Sequence, residues 1–221
     1  MKTGDSMKEY PSRLELRERI VDTAMRSFCT HGIKSITMDD IAAALGISKR
    51  TLYEVFADKE TLLMECVQKA REETNAYLKG VYEESSSVLE VLLRLYQRSI
   101  ESFHNMNKKF FEDIKKYPKV YEAMVKDRNR DSEKTIAFFK QGVQQGYFRS
   151  DVNFAIVNLL VHEQLGLLMN TDLCKEYSFL EVYESIMFTY LRGISTEKGA
   201  EKLERFIQEY RQKRQLASDD Q

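Results

Sequence analysis

Hydrophobic residues recur at helical spacing from the N-terminal part of the chain onward, beginning with Ile20, Ala24 and Phe28. A repeat of four residues places these side chains on one face of a helix. Gly32 follows this segment, and glycine is the usual residue just past a helix end. The pattern therefore predicts an amphipathic first helix that ends near His31.

Short polar residues precede each of the next three apolar segments. Ser48 and Asp58 each stand where a helix N-cap is expected, and Thr37 with Asp40 resembles a capping box. Gly46 ends the second helix after two turns. These signals predict three more helices, the last of which begins near residue 59.

The rest of the chain carries the same helical pattern with few breaks. Its 221 residues include two prolines, Pro11 and Pro118, and none follows Pro118. A proline disfavours helix for the residue before it, so Tyr117 is expected to lie at a helix boundary. The chain is thus predicted to be all-α. The later helices are predicted at residues 59–84, 88–104, 107–116, 119–145, 153–171, 178–193 and 197–214.

The segment from Met38 to Phe56 fits a helix-turn-helix. Two short helices that cross steeply need a small residue at the crossing, which is Ala42, and a sharp reversal, which Gly46 permits because glycine tolerates positive φ. A generic corner between two helices uses many of the same residue types and is the alternative. The second helix has polar and basic residues near its N-terminal end, where a recognition helix contacts base edges in the major groove. The buried contacts of the motif are predicted from Ile41, Leu45, Ile47, Leu52 and Val55.

The spacing of these residues resembles the TetR family of bacterial transcriptional regulators over about residues 13–66. Its most specific part is the string TLYEVFADKETLL, which is similar to the family's Leu-Tyr-x-x-Phe-x-x-Lys-Glu-x-Leu signature. The rest of the chain agrees in length, in helical character and in the turn GYFRSDVN. The resemblance implies a homodimer that binds a palindromic operator. It also implies a C-terminal domain whose occupancy by an inducer weakens DNA binding.

The resemblance also assigns DNA contacts residue by residue. Thr37 and Lys59, both at helix N-termini, and Tyr53 are expected to contact phosphates. Thr37 could instead serve only as a cap, Tyr53 could pack against Phe28, and Lys59 could be a solvated surface lysine. The residues expected in the major groove are Ser48, Lys49, Arg50 and Thr51.

Glu54 lies on the predicted recognition helix and has two interpretations. It could accept a hydrogen bond from cytosine, or it could pair with Arg50 and hold that guanidinium in place; we favour the pairing. Residues 1–65 hold ten basic and eleven acidic side chains, so there is no broad basic surface. DNA affinity is therefore expected to depend on a few well-placed contacts, with modest non-specific binding.

The composition argues against several other classes of protein. The net charge is −1, and no apolar run approaches the ~18 residues that a membrane span needs. Three dispersed cysteines and an N-terminus without an apolar core favour a reducing cytoplasm over secretion. Because no catalytic motif, phosphate-binding loop or metal-ligand spacing is present, we expect no enzyme activity, cofactor or metal.

Two helices in the second half are apolar nearly all round, near residues 154–169 and 178–193. Such helices must be covered on both sides, so two from each chain are expected to form a four-helix bundle across a two-fold axis. The residues predicted at this dimer interface are Leu160, Leu167, Tyr183, Ile186, Met187 and Tyr190.

The same half is rich in aromatic residues and methionine. These residues could simply pack a hydrophobic core, which is the default explanation. They could instead line a partly polar ligand cavity, and the family resemblance favours this second explanation. Its aromatic character favours an apolar or aromatic small molecule. The predicted lining residues are Phe103, Met106, Phe110, Phe111, Tyr121, Met124, Arg128, Phe139, His162 and Gln164.

These signals together predict a three-helix DNA-binding domain with a helix-turn-helix, residues 1–58, followed by a helical ligand-binding and dimerisation domain, residues 59–221. The predicted function is regulation of transcription by sequence-specific binding to double-stranded DNA. The simplest form is repression, which a small ligand relieves. The alternative is a protein of the same fold that acts through protein partners without binding an operator. A degraded recognition helix would mark that alternative, and Lys49, Arg50 and Tyr53 argue against it.

Overall fold

The computed structural model describes residues 12–104, 106–126, 132–170 and 176–219. Within these ranges the chain is all-α, apart from turns and an isolated antiparallel bridge between Phe148 and Ser195. The helices are α1 (Arg13–His31), α2 (Met38–Leu45), α3 (Lys49–Val55), α4 (Lys59–Glu84), α5 (Val88–His104), α6 (Lys108–Ile114), α7 (Pro118–Lys126), α8 (Ser132–Gln144), α9 (Phe154–Asn170), α10 (Phe179–Ile194) and α11 (Glu197–Asp219).

Most predicted helices lie within a few residues of the observed ones. The helix predicted over 119–145 differs, because its described parts form two helices, α7 and α8, while residues 127–131 lie outside the described ranges. The last helix extends to Asp219, five residues past the predicted end at 214. Proline begins α7 at its first position, where the missing N–H has no helical partner to lose.

The first three helices share a hydrophobic core that later helices complete. Ile20, Ala24 and Phe28 of α1 are fully buried, as their spacing predicts. The start of α4 and side chains of α6 and α7 pack into the same core, so this core extends past residue 58. These later contributors are Leu62, Leu63, Cys66, Phe110, Ile114 and Val120.

Two of the three described glycines with positive φ, Gly46 and Gly32, lie in the DNA-binding region. Gly46 has φ +67° and ψ 28° and reverses the chain between α2 and α3, as predicted. Gly32 has φ +85°, and a Cβ atom at this position would lie 2.7 Å from the Cβ of Lys109 on α6. The end of α1 therefore approaches α6 more closely than any side chain at position 32 would allow.

A second core lies between α5 and the last helices. Tyr96 of α5 is its centre: the ring stacks on Tyr183 at 5.8 Å between centroids and contacts Phe188 at 4.7 Å. Phe206 and Tyr210 of α11 meet the same ring edge to face, at 6.1 and 6.0 Å. Offset and edge-to-face aromatic pairs are the favoured geometries, so these rings stabilise the packing of α5, α10 and α11.

The turn between α8 and α9, residues 145–153, docks onto the junction of α10 and α11. The Arg149 N–H donates to the Ile194 carbonyl at 2.9 Å, and the Thr196 N–H donates to the Tyr147 carbonyl at 3.0 Å. Phe148 is buried beneath the turn. The backbone bonds and the buried ring fix this turn to the C-terminal core.

Candidate DNA-binding site

The helix-turn-helix forms with the caps that its sequence predicts. Thr37 accepts the Asp40 N–H at 3.1 Å, and the Asp40 carboxylate accepts the Thr37 N–H at 2.8 Å, which completes a capping box. Ser48 accepts the Thr51 N–H at 3.0 Å at the start of α3. Asp58 caps α4 through the Thr61 N–H at 2.7 Å. Hydrogen bonding to Thr37 and Thr61 lowers the pKa of the Asp40 and Asp58 carboxyls, respectively.

The apolar positions of the motif face inward as predicted. Ile41, Ala42 and Leu52 are fully buried, and Leu45, Ile47 and Val55 pack half-buried against the same core. The opposite face of α3 is open to solvent. Its exposed or half-exposed side chains are Ser48, Lys49, Arg50, Thr51 and Tyr53.

Each basic residue at the start of α3 is paired with an acid. Arg50, with 88% of its side chain exposed, donates through Nε to Glu54 Oε1 at 2.9 Å, which confirms the predicted pairing. Lys49 forms a hydrogen-bonded ion pair with Asp39, which lies on α2 ten residues earlier. That hydrogen bond and the charge of Asp39 raise the pKa of Lys49.

Lys59 differs from the sequence expectation, which assigned it a phosphate contact. Its ammonium turns inward and donates to the carbonyls of Ile33 and Ile36, in the loop before α2. It also lies 5.6 Å from the centre of the Phe28 ring, within cation–π range. Burial lowers the pKa of Lys59, although the negative charges of Asp113 and Asp40 act to raise it. In this structure Lys59 holds the loop between α1 and α2, and its contact with a phosphate stays a prediction.

The same loop is bound from the other side by the segment that contains α6. The Lys34 N–H donates to Asp113 Oδ2 at 2.7 Å, and the Asn107 N–H donates to the Cys29 carbonyl at 2.7 Å. Asp113 is buried and also accepts a bond from Lys116 Nζ at 2.8 Å. Burial acts to raise the pKa of Asp113, but the bonds from Lys116 and the Lys34 N–H hold it below its ordinary value.

A second link joins the recognition helix to α4. Arg17 forms a two-point ion pair with Glu65, at 3.0 and 2.8 Å, and its Nη1 donates to the Val55 carbonyl at 3.4 Å. Its guanidinium carbon lies 4.4 Å from the centre of the Phe56 ring. The C-terminal end of α3 is therefore attached to α4 through one α1 side chain.

The residues predicted to line a ligand cavity fall into two hydrophobic clusters. Phe110 is only 2% exposed and belongs to the N-terminal core, where Met106, Phe111, Tyr121 and Met124 also pack. Phe139 packs in the C-terminal core, stacked on Phe154 at 5.1 Å. The described residues do not form the single cluster that the sequence predicted. Gln164 is half-buried on α9, Arg128 lies outside the described residues, and so do the side chains of Phe103 and His162.

The residues predicted at the dimer interface differ in their exposure to solvent. Tyr183 is 8% exposed and packs within its own chain against Tyr96, so its contact is intramolecular in this structure. Ile186 and Met187 pack partly buried on the same core, and Tyr190 is half-buried. Leu160 is 46% exposed, whereas the side chain of Leu167 lies outside the described residues.

Three functional side chains were not identified from the sequence: Asp39, Arg17 and Asp113. Their partners are 10, 48 and 79 residues away in the chain. Helical spacing identifies partners three or four residues apart, as for Arg50 and Glu54, and it gives no signal for pairs as distant as these.

Other kinds of site find no support in the part of the chain that the structure describes. No group of three His, Cys, Asp or Glu side chains there could hold a metal ion. Among the described helices, none is both long enough and apolar enough to cross a membrane. Burial raises the pKa of the free Cys29 thiol to about 11, and the Cys66 thiol is similarly shifted, so both stay protonated and pack as small apolar groups.

Comparison with known proteins agrees with this geometry. Residues 20–66 match the family described as bacterial regulatory proteins, tetR family. The transcriptional repressor KstR2 of Mycobacterium tuberculosis H37Rv is 25% identical over 154 residues, which are 66% of this chain and 76% of that protein. The uncharacterised regulator YvaF of Bacillus subtilis 168 is 28% identical over 177 residues, 76% of this chain and 90% of that protein.

Solved structures agree with the fold. A TetR-family regulator from Agrobacterium tumefaciens superposes with a TM-score of 0.65 at 17% identity, over 84% of this chain and all of that one. The structure of M. tuberculosis KstR2 gives 0.51 at 20% identity, over 86% of this chain and 98% of that one.

An all-helical chain with a capped helix-turn-helix and an exposed polar recognition helix, whose relatives are transcriptional regulators, is a DNA-binding transcriptional regulator. Residues 20–66 match the DNA-binding domain of the TetR family, and the chain has the fold of solved regulators of that family.

The inward orientation of Lys59 leads to a prediction about stability. Lys59→Met keeps much of the side-chain length but removes the charge and the donors, so the carbonyls of Ile33 and Ile36 lose their partner. Leaving buried acceptors unsatisfied costs about 1–3 kcal/mol, and we expect a loss of this size in the free energy of unfolding. Urea denaturation monitored by circular dichroism measures it.

Lys34→Met is the matched control, because the Lys34 side chain is exposed and only its backbone N–H binds Asp113. It should change stability by less than about 0.5 kcal/mol. The assignment would be contradicted if Lys59→Met retained full stability and instead reduced the salt dependence of DNA binding, since a phosphate contact would do that.

Proposed function

We propose that this protein is a repressor that binds a palindromic operator as a homodimer and is released from it by an apolar small molecule. The observation that supports it most directly is the exposed N-terminal end of α3. There Arg50 and Lys49 are open to solvent beside Thr51, while the apolar side of the helix is buried. A recognition helix inserts this end into the major groove.

In this proposal each of the α3 side chains has a stated role. Arg50 and Lys49 donate to base edges, where guanine O6 and N7 are the preferred acceptors. Ser48 and Thr51 contact bases or the adjacent sugar-phosphate backbone, and Tyr53 contacts a phosphate. Thr37 donates both its N–H and its hydroxyl to the Asp40 carboxylate, so in this proposal a phosphate at the N-terminus of α2 replaces that carboxylate as the acceptor for Thr37.

The dimer in this proposal forms through α9 and α10. Ile156, Leu159 and Leu160 are 54%, 53% and 46% exposed, and their spacing places them on one face of α9. Exposed leucines and isoleucines grouped on one helix face commonly mark an interaction surface. Because α9 also packs against α10 in the same chain, two such pairs related by a two-fold axis would make a four-helix bundle.

The effector in this proposal is an apolar, ring-containing molecule bound near α8 and α9. Phe139 and Gln164 lie on these two helices, which pack against each other and supply an aromatic surface and a polar amide. The M. tuberculosis relative KstR2 is described as a ketosteroid transcriptional regulator, and ketosteroids are apolar, polycyclic molecules. The residues of α6 and α7 are left out of the proposed site, because they pack into the N-terminal core.

The effector can weaken DNA binding only by preferring a conformation in which the two α3 helices no longer match successive major grooves, about 34–36 Å apart. Asp113 and Asn107 bond the α6 segment to the end of α1 and the loop after it. Because α8 packs against α5, and α6 follows α5 directly in the chain, a ligand beside α8 that displaced α5 and α6 would move α1 and the helix-turn-helix. A 50-fold loss of affinity requires only about 2.3 kcal/mol of coupling.

The recognition-helix assignment predicts that Arg50→Ala weakens operator binding by about 1–3 kcal/mol and relaxes base preference at one position in each half-site. The operator is first selected from a pool of random duplexes with the wild-type protein, and affinities are then measured by fluorescence anisotropy. Arg205→Ala on α11 is the control, since this exposed arginine lies on the last helix. Unchanged affinity and preference for Arg50→Ala would exclude α3 as the recognition helix.

The dimer assignment predicts that Leu160→Glu produces monomers and abolishes operator binding together. The added carboxylate would have to be buried without a partner in the bundle, which is strongly unfavourable. Sedimentation velocity at low micromolar concentration measures the assembly state. Leu14→Glu introduces the same charge at a leucine that is 67% exposed on α1, and it should leave the dimer intact. A wild-type protein that sediments as a stable monomer would refute the dimer.

The effector proposal predicts that polycyclic apolar compounds raise the unfolding temperature and release the operator in the same concentration range. Sugar phosphates serve as the negative class. Asp113→Ala should retain the thermal shift but lose most of the release, because it removes the bond between α6 and the Lys34 N–H. Release by sugar phosphates alone would contradict the proposed ligand class, and full release in Asp113→Ala would contradict the route through α6.

A further inference from the structure

The helix-turn-helix and the residues at its ends carry little net positive charge. Residues 37–59 contain three basic side chains against four acidic ones. Lys59 is turned toward backbone carbonyls, which leaves Lys49 and Arg50 as the two exposed cations of this segment. Each of those two is paired with a carboxylate, from Asp39 and Glu54 respectively.

The two ion pairs leave hydrogen-bond donors available. Glu54 binds Arg50 through Nε, so the two terminal nitrogens of the guanidinium remain as donors. A lysine ammonium has three N–H donors, and the bond to Asp39 uses one of them. The carboxylates thus cancel the charge of both side chains without removing the groups that would bind a base edge.

Charge and donors contribute differently to DNA binding. Attraction between cations and phosphates is independent of sequence and supplies nearly all non-specific affinity. Hydrogen bonds to base edges in the major groove depend on sequence. A cation whose charge is cancelled but whose donors are oriented loses the first contribution and keeps the second.

We propose that Asp39 and Glu54 are specificity-determining residues, which suppress binding to non-operator DNA and hold Lys49 and Arg50 in position for base contacts. The inference rests on the proposed function, since it concerns discrimination between operator and other DNA. It assigns the two acids a role in DNA recognition although neither has to touch the DNA.

The test compares Asp39→Asn, Glu54→Gln and the double variant with the wild-type protein. Affinity is measured for the selected operator and for a random-sequence duplex, from 50 to 300 mM potassium chloride. A unit charge about 6 Å from a phosphate in water changes affinity about three-fold, and each substitution acts in both subunits of the dimer, so each variant should bind random duplex about ten-fold more tightly and the double variant about a hundred-fold. The slope of log affinity against log salt should steepen by about 0.9 for each freed cation.

Operator affinity should rise by less than the affinity for random duplex, because Arg50 and Lys49 lose their fixed orientation. The ratio of operator affinity to random affinity should therefore fall in both single variants and most in the double variant. Asp39→Glu and Glu54→Asp retain the charge, and Asp39→Glu should restore the wild-type salt slope.

Two controls carry the same change of charge elsewhere. Asp22→Asn removes an acid paired with Lys69 between α1 and α4, and Glu204→Gln removes an acid paired with Arg192 between α10 and α11. Both should leave the ratio and the salt slopes unchanged. Thermal unfolding of every variant separates loss of folding from changes in recognition.

Three results would overturn the inference while leaving the proposed function in place. One is an unchanged affinity of Asp39→Asn and Glu54→Gln for random duplex. Another is an equal gain in the Asp22→Asn control. The third is a selective loss of operator affinity in Glu54→Gln, which would mean that Glu54 accepts a bond from a base. Failure of the wild-type protein to select any operator would instead refute the proposed function, and the salt slopes on random duplex would remain measurable.

Discussion

The arrangement of the DNA-binding helices depends on the loop between α1 and α2, which charged side chains bind from two directions. The ammonium of Lys59 satisfies two of its carbonyls, and the carboxylate of Asp113 satisfies one of its N–H groups. Backbone polar groups that leave water must find such partners, and a loop of this kind has no helical ladder to supply them. Because Thr37 follows directly, the direction in which α2 starts is determined by these contacts, and α3 follows from α2 through Gly46.

The same contacts connect the two halves of the chain. Lys59 is the first residue of α4 and Asp113 lies on α6, so two helices that follow the DNA-binding region are bonded to one short stretch of backbone. Arg17 adds a connection between α4 and the end of α3. A shift of either helix would therefore change the position of the recognition helix, although an effector would not contact that helix.

The parts of the fold that follow from near neighbours in the sequence could be predicted, and the parts that depend on distant partners could not. The caps at Thr37, Ser48 and Asp58 and the turn at Gly46 each involve residues within three or four positions, where local geometry is decisive. Phe110 was predicted to line a ligand cavity because of its aromatic character, which does not indicate which helix covers the side chain. The side chain packs under α1, in the core of the DNA-binding region. Lys59 stands at a helix N-terminus, where a lysine is expected to contact a phosphate. Only the folded loop shows that its ammonium donates to the carbonyls of Ile33 and Ile36.

The absence of a Cβ atom at Gly32 determines how closely the end of α1 approaches α6. Its backbone has a positive φ, and the space that a Cβ would fill is taken by Lys109 of α6. An alanine there would push α6 and the end of α1 apart and so displace the helix-turn-helix from the position that its bonds to α6 maintain. Substitutions at this one position would then yield a chain that folds yet behaves as if permanently induced. The genetic phenotype would be constitutive expression of the target genes, although position 32 touches neither DNA nor ligand.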